Sequence, residues 1–126
     1  MKLKLFENSL TSSIPSSFGL LTNLKLLSLH YNSLTSSIPS ELSNNINLQT
    51  LKLNNNLLTS TVPDQLTLLI KLRTLSLNYN YLSGNKLPSG FLSNGGLYSD
   101  ISKYIHLYVL WLCVCVCVCM HVCLYI

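Results

Sequence analysis

The sequence is poor in charge and, over most of its length, free of cysteine. Only 10% of its 126 residues are charged, against roughly 25% in an ordinary globular chain. No two of its eight basic residues are adjacent, whereas a nucleic-acid surface needs clustered Lys and Arg. All five cysteines fall within residues 113–123. The composition therefore predicts no nucleic-acid partner, and disulfides cannot hold the repeated part of the chain together.

Two signals of secretion are also missing from the sequence. Residues 1–5, Met-Lys-Leu-Lys-Leu, contain neither the apolar core nor the small-residue cleavage site of a secretory signal peptide. No asparagine begins the Asn-x-Ser/Thr triplet that accepts a glycan. The missing acceptor triplet weighs against a glycosylated surface protein.

What the sequence does contain is a repeat. Asparagines recur at one constant interval, and a leucine follows each of them two positions later. These asparagines are Asn8, Asn32, Asn56 and Asn80. Three full copies read Leu-x-x-Leu-x-Leu-x-x-Asn-x-Leu, beginning at Leu24, Leu48 and Leu72. A fixed period of this length indicates a chain built by stacking one small unit.

The first half of each unit predicts a short strand. Leu27 and Leu29 alternate with polar residues, as in a strand with one buried face, so we expect both leucines to point inward. Asn32 follows, where the chain must bend away. Its side-chain amide has two donors and an acceptor, enough to bond backbone groups of neighbouring coils that burial would leave unpaired. We therefore expect the four asparagines to form a structural ladder.

The second half of each unit predicts the return segment. An aliphatic residue followed by proline occurs at 14–15, 38–39, 62–63 and 87–88, and proline fixes φ while donating no backbone hydrogen bond. Three positions after each proline stands an apolar residue, which we expect to pack on the convex side. These residues are Phe18, Leu42, Leu66 and Phe91.

The unit resembles the leucine-rich repeat family, in its plant-type form L-x-x-L-x-x-L-x-L-x-x-N-x-L-[TS]-G-x-I-P, over residues 3–97. One departure is that Ser36 and Ser60 replace the usual glycine, which only Gly84 keeps. The resemblance implies an α/β repeat solenoid, a right-handed superhelix. Short parallel strands would line its concave face, and loops and 3-10 turns its convex face.

The same resemblance implies a function in recognition. Members of the family bind proteins, peptides or small ligands on the concave face, and plant-type members often form the ectodomains of receptor-like kinases and receptor-like proteins. No kinase signature occurs in this sequence. We therefore predict a protein-interaction module that recognises a protein or peptide, with no cofactor, no metal and no enzymatic activity. The alternative is a membrane-anchored receptor-like fragment.

The outward strand positions supply the candidate ligand-binding residues. They are Lys4, Phe6, His30, Tyr31, Lys52, Asn54, Asn78 and Tyr79. Tyr and His carry much of the energy of protein interfaces, although exposed Tyr and Asn are also ordinary solenoid surface. Ser28 near His30 raises the question of a catalytic pair, but such a pair needs an orienting acid and a pocket. The sequence shows neither.

The repeat pattern divides the chain into two parts. Residues 1–97 form about four repeats, and the first lacks its opening leucine and any capping segment, as expected of a fragment. Residues 98–126 form a hydrophobic tail rich in Cys and Val. In that tail, residues 104–126 contain no charged side chain and are long enough to span a bilayer, which takes roughly 20 apolar residues. A genuine tail would give a membrane localisation; otherwise localisation is open.

The alternation of cysteine and valine from Cys113 to Cys119 supports a second interpretation of the tail. Alternating T and G nucleotides encode Cys and Val in turn, so a translated microsatellite or unspliced intron would produce this segment. A metal site is disfavoured, because its thiolates would need further ligands converging on one ion. Membrane segment and gene-model artefact both stay open.

Overall fold

The computed structural model describes residues 1–83, which form a stack of short strands and 3-10 turns. The strands are β1 Lys2–Lys4, β2 Thr11–Ser13, β3 Leu26–Ser28, β4 Ser33–Thr35, β5 Thr50–Lys52 and β6 Thr74–Ser76. The 3-10 turns are η1 Ser16–Leu20, η2 Ser40–Asn44 and η3 Asp64–Leu68. The predicted boundary at residue 97, the tail 98–126, Phe91 and the fourth proline lie outside the described residues.

Four strands, one from each coil, form the main sheet. Their order is β1-β3-β5-β6, and every neighbouring pair is parallel. The register advances by one whole repeat per strand, so Leu27 lies beside Leu51 and Leu51 beside Leu75. All three leucines are 0% exposed. The predicted solenoid, with its columns of stacked leucines, is confirmed.

The proline-led return segments form the opposite side of the stack. Pro15, Pro39 and Pro63 each precede a 3-10 turn in extended conformation, with φ of −64°, −68° and −61°. The carbonyl of each proline accepts a hydrogen bond from the amide three residues later. Leu42 and Leu66, the residues predicted to pack here, are fully buried. Phe18 packs against the same core while remaining partly exposed.

A second ladder on the flank of the stack was not predicted. β2 pairs with β4 in parallel, and Thr11 lies beside Ser33. The next coils continue the contact without forming a full strand. The amide of Leu57 donates to the carbonyl of Leu34 over 2.8 Å, and that of Thr59 donates to Ser36 over 2.8 Å. Each coil is thus bonded to the next along two separate lines.

Left-handed backbone occurs at two positions of the repeat, at seven non-glycine residues of the described coils. One set is Ser12, Ser36 and Ser60, with φ of 71°, 67° and 66°. This is the position where the family pattern has glycine, which adopts positive φ without steric cost. An L-residue there costs about 1–2 kcal/mol. The serines therefore keep the glycine conformation at an energetic penalty. The other set belongs to the concave face and is described below.

Asparagine side chains bridge successive coils near the end of each main strand. Asn56 donates from Nδ2 to the carbonyls of Leu29 and Leu53, over 3.0 and 3.1 Å, and accepts at Oδ1 from the amide of Leu34. Asn32 and Asn80 make the equivalent bonds to their own and the preceding coil. Asn8 is exposed, and its side chain donates only to the carbonyl of Phe6 in its own coil.

Replacing Asn56 with Ala should lower the free energy of unfolding by about 2–3 kcal/mol. The carbonyls of Leu29 and Leu53 each keep a second asparagine donor, so the buried amide of Leu34 is the group left without its partner. A buried unpaired donor costs about 1–3 kcal/mol. Urea denaturation followed by circular dichroism measures the change. Asn8→Ala is the matched control and should cost under about 1 kcal/mol. Equal losses in both variants would contradict the bridging role.

Another buried asparagine, Asn45, departs from the pattern of its column. The equivalent positions in the preceding and following repeats are Leu21 and Leu69. Asn45 is 0% exposed, and its Nδ2 donates to the carbonyl of Phe18 over 3.0 Å. Its Oδ1 is buried and has no partner among the described residues. Burying a polar atom without a hydrogen bond destabilises a fold.

Asn45→Leu should therefore raise the melting temperature, by an increase of about 1–2 kcal/mol in unfolding free energy. The Phe18 carbonyl keeps a bond from the amide of Leu21 over 3.1 Å, so little is lost with the Asn side chain. Asn47→Leu provides the comparison, because Asn47 is partly exposed and bonded to Thr22 and Lys71. Calorimetry showing Asn45→Leu to be less stable than the natural chain would refute this account.

Candidate functional site

The main sheet presents three rows of side chains on its open face. The first row is Lys4, Ser28, Lys52 and Ser76, aligned by strand pairing. The second is Phe6, His30, Asn54 and Asn78, and the third is Glu7, Tyr31, Asn55 and Tyr79. Neighbouring coils lie about 4.8 Å apart. The eight candidates from the sequence therefore occupy one continuous face.

Exposure differs strongly along these rows. Tyr31 is 52% exposed, Tyr79 60% and Phe6 38%, while His30 and Lys52 are half-buried. Ser28 was expected to point outward, yet it is only 4% exposed. Its Oγ lies 2.9 Å from Nδ1 of His30. A small side chain between longer neighbours is covered by them, so Ser28 supports the face rather than forming its outer surface.

Three aromatic rings meet at the N-terminal end of this face. The rings of Phe6 and His30 are stacked, with centroids 4.8 Å apart and planes 14° apart. The ring of Tyr31 lies 5.5 Å from that of His30 at 60°. We call Phe6, His30 and Tyr31 the aromatic ledge. The repeat brings these rings together, because Phe6 and His30 hold the same position in successive repeats and therefore lie in adjacent coils.

The third row holds its side chains on a left-handed backbone. Tyr31 and Tyr79 have φ of 54° and 57°, and Glu7 and Asn55 have 54° and 55°. Positive φ is unusual for a bulky residue. Coil-to-coil bonds enforce it, since the amide of Tyr31 donates to Asn54 while its carbonyl accepts from Asn8. The sequence pattern did not reveal this feature, although an Asn at this position, a residue that tolerates positive φ, is a weak sign of it.

The electrostatics of the face centre on His30. Burial, and after it the positive charge of Lys52, lower the pKa of His30 below its ordinary value of 6.5. The carboxylate of Glu7 opposes both effects. The folded chain therefore favours the neutral ring. In the tautomer with its proton on Nε2, Nδ1 can accept a hydrogen bond from the Ser28 hydroxyl.

This lowered pKa makes stability depend on pH in one direction. The unfolded ring takes up a proton near pH 6.5, and the folded ring only at lower pH. The contribution of His30 to stability is therefore complete above pH 6.5 and is lost as pH falls through the folded pKa. We expect His30→Asn, which copies Asn54 of the next coil, to show a smaller drop in melting temperature between neutral and mildly acidic pH.

The natural chain measured beside His30→Asn provides the test, because all other titrating groups are common to both. Calorimetric melts at matched ionic strength give the two pH profiles. Parallel profiles for the two proteins would refute the assignment of this pH dependence to His30.

The described residues form neither a metal site nor a membrane-spanning helix. Within residues 1–83, no group of three His, Cys, Asp or Glu side chains could hold a metal ion. The described part of the chain also contains no helix of the length and apolar character needed to cross a membrane. The candidate membrane segment, 104–126, lies outside that part.

Comparison with known proteins agrees with this geometry. The family described as Leucine Rich Repeat matches residues 23–45, 47–69 and 71–94, which is more than half of the chain. No curated protein sequence matches significantly.

Several solved plant structures have a similar fold. One is the Arabidopsis receptor kinase HAESA in complex with the peptide hormone IDA and the co-receptor SERK1. It has 37% identity and a TM-score of 0.71, over 79% of this chain and 16% of that one. Another is the BIR3–SERK2 complex from Arabidopsis thaliana, with 40% identity and a TM-score of 0.68. The match covers 77% of this chain and 50% of that one.

A third similar structure is the plant peptide hormone receptor RGFR1 in complex with RGF2. It has 35% identity and a TM-score of 0.66, over 79% of this chain and 15% of that one. The chain thus spans half or less of the length of each of these structures.

Proposed function

Because the chain belongs to the leucine-rich repeat family, we propose that it is a ligand-binding module whose concave sheet recognises a protein or a peptide. The observation that carries the proposal is the pair of exposed tyrosines, Tyr31 and Tyr79, held outward on a fixed backbone. Tyrosine offers a large rigid contact area with a polar tip and loses little conformational entropy on binding.

The dimensions of the face suit an extended chain. Tyr31 and Tyr79 are separated by two coils, or about 10 Å. Three residues of an extended peptide cover about the same distance. Between the tyrosines, Asn54, Asn55 and Asn78 offer side-chain donors and acceptors to a peptide backbone. A bound peptide can therefore contact both tyrosines and satisfy its own polar groups in between.

The similar structures support a peptide or protein partner. One is a receptor kinase in complex with a peptide hormone and a co-receptor, and another is a peptide hormone receptor in complex with RGF2. The third is a complex of two proteins, BIR3 and SERK2. We propose the same class of partner for this chain. A receptor-like role anchored by residues 104–126 remains our alternative, and it rests on the uncharged character of that segment.

Binding rather than catalysis is our proposal for the Ser28–His30 pair as well. The Ser28 hydroxyl does lie 2.9 Å from the imidazole, and the carboxylate of Glu7 acts electrostatically on the ring. However, Ser28 is 4% exposed, so its oxygen offers no approach to a substrate carbonyl. We assign the pair to positioning His30 within the aromatic ledge.

The test replaces both tyrosines without disturbing the left-handed backbone. Asn55 occupies the equivalent position in the third coil with φ of 55°, so Tyr31→Asn/Tyr79→Asn should retain the melting temperature of the natural chain. A random peptide library displayed on phage is selected against the full chain. Selected peptides should then bind the double variant at least about tenfold more weakly, since central tyrosines are frequent hot spots. Fluorescence polarisation measures the affinities.

Tyr81→Asn is the matched control for that experiment. Tyr81 is 65% exposed but lies on the flank of the stack, where its amide bonds to Leu58. Its loss should leave affinity within about twofold. A library that yields no binder, or binders indifferent to both concave tyrosines, would overturn the proposed function.

A further inference from the structure

The charges of the described residues are unevenly distributed around the stack. Lys4 and Lys52 stand in one row of the concave face, on either side of Ser28. The carboxylates of Glu41 and Asp64 belong to the 3-10 turns η2 and η3 on the opposite side. The concave rows contain one acidic residue, Glu7, among the described residues. The row that contains Lys4 and Lys52 is therefore positively charged.

Neither ammonium group is neutralised by a carboxylate of the described residues. Among residues 1–83, no ion pair uses Lys4 or Lys52. The charge of Lys52 nonetheless acts on a neighbouring coil, because it lowers the pKa of His30 there. The two lysines stand about 10 Å apart at their backbones, and their long flexible side chains can converge on one anion above Ser28.

An apolar surface lies directly beside this positive site. The aromatic ledge begins two residues further along the strands, about 7 Å from the lysine row. Two of its members, Phe6 and Tyr31, are 38% and 52% exposed. In an extended peptide, side chains at i and i+2 lie on one face at the same spacing of about 7 Å. A carboxylate and a large apolar side chain separated by one residue would thus meet the lysines and the ledge together.

We propose that the partner of this face is a peptide segment with an acidic side chain and, two positions away, an aromatic one. The carboxylate binds between Lys4 and Lys52, and the aromatic ring packs on Phe6, His30 and Tyr31. Charge complementarity supports this occupant, since the lysines are unpaired within the described residues and two of the three described carboxylates, Glu41 and Asp64, lie on the far side. The inference rests on the proposed function and specifies the chemistry of the part of the ligand that lies along the strands beside Tyr31.

Three pools of short synthetic peptides, random outside a fixed core, test the proposal on the full chain. Their cores are Asp-x-Phe, Asn-x-Phe and Asp-x-Ala. We expect the Asp-x-Phe pool to bind roughly tenfold more tightly than either of the others. Raising the salt from about 50 mM to about 300 mM should reduce the preference for Asp over Asn, because exposed charges are screened. Biolayer interferometry measures each affinity.

Two charge-matched variants assign the preference to particular side chains. Lys4→Gln/Lys52→Gln should bind the Asp-x-Phe and Asn-x-Phe pools equally. Lys25→Gln/Lys71→Gln removes the same charge from the segments that lead into β3 and β6, and it should keep most of the tenfold preference. Lys4, Lys25 and Lys71 are exposed and Lys52 is half-buried, so melting curves close to that of the natural chain are expected for both variants.

The outcomes separate this inference from the function on which it rests. If peptides bind in a Tyr31- and Tyr79-dependent way but show no preference for Asp, the acidic partner is refuted and the binding module stands. If the lysine control loses the preference as fully as Lys4→Gln/Lys52→Gln, the site is refuted and only a general charge effect remains. If no pool and no library member binds, both proposals fail.

Discussion

The hydrogen bonds between successive coils are the constraint on which this structure depends. Three-residue strands have little stability alone, since isolated two-stranded pairs are marginal in water. Here each coil is bonded to its neighbours in three ways. Its main strand pairs in the sheet, its flank pairs in a second ladder, and an asparagine side chain bridges to the adjacent coil. Burial of a leucine column adds about 1.5–3 kcal/mol per side chain. The backbone bonds fix the spacing at which those leucines meet, so packing and bonding reinforce each other at every coil.

The sequence predicted the parts of the fold that repeat. The constant period placed Leu27, Leu51 and Leu75 in one buried column, and the prolines located all three described 3-10 turns. What it could not predict arises where a coil differs from its neighbours or where the backbone is unusual. Asn45 is one of many polar residues in the sequence, and its burial becomes evident only when it is aligned with its equivalents, Leu21 and Leu69. Nothing in the composition shows that Tyr31 has a left-handed backbone.

The candidate site was predictable to a similar degree. Alternation of inward and outward residues identified the open face of the sheet and its first two rows, because a strand has a period of two. The third row follows the second directly in sequence and faces outward on a left-handed backbone. It did not give the contacts between neighbours. Ser28 is covered although its position faces outward, and the stack of Phe6 on His30 depends on side-chain rotamers that a pattern does not specify. The charge separation between Lys4 and Lys52 on one side and Glu41 on the other required the path of the chain around each coil.

The position occupied by Glu7, Tyr31, Asn55 and Tyr79 has a wider consequence. Its φ varies by only a few degrees, between 54° and 57°, while its side chain is acidic, aromatic or amide. Main-chain hydrogen bonds to the adjoining coils fix the backbone conformation at this position, while the side-chain type differs between coils. One backbone shape thus presents acidic, aromatic and amide side chains at this position, so the ligand preference of the face can differ from coil to coil while the scaffold stays the same.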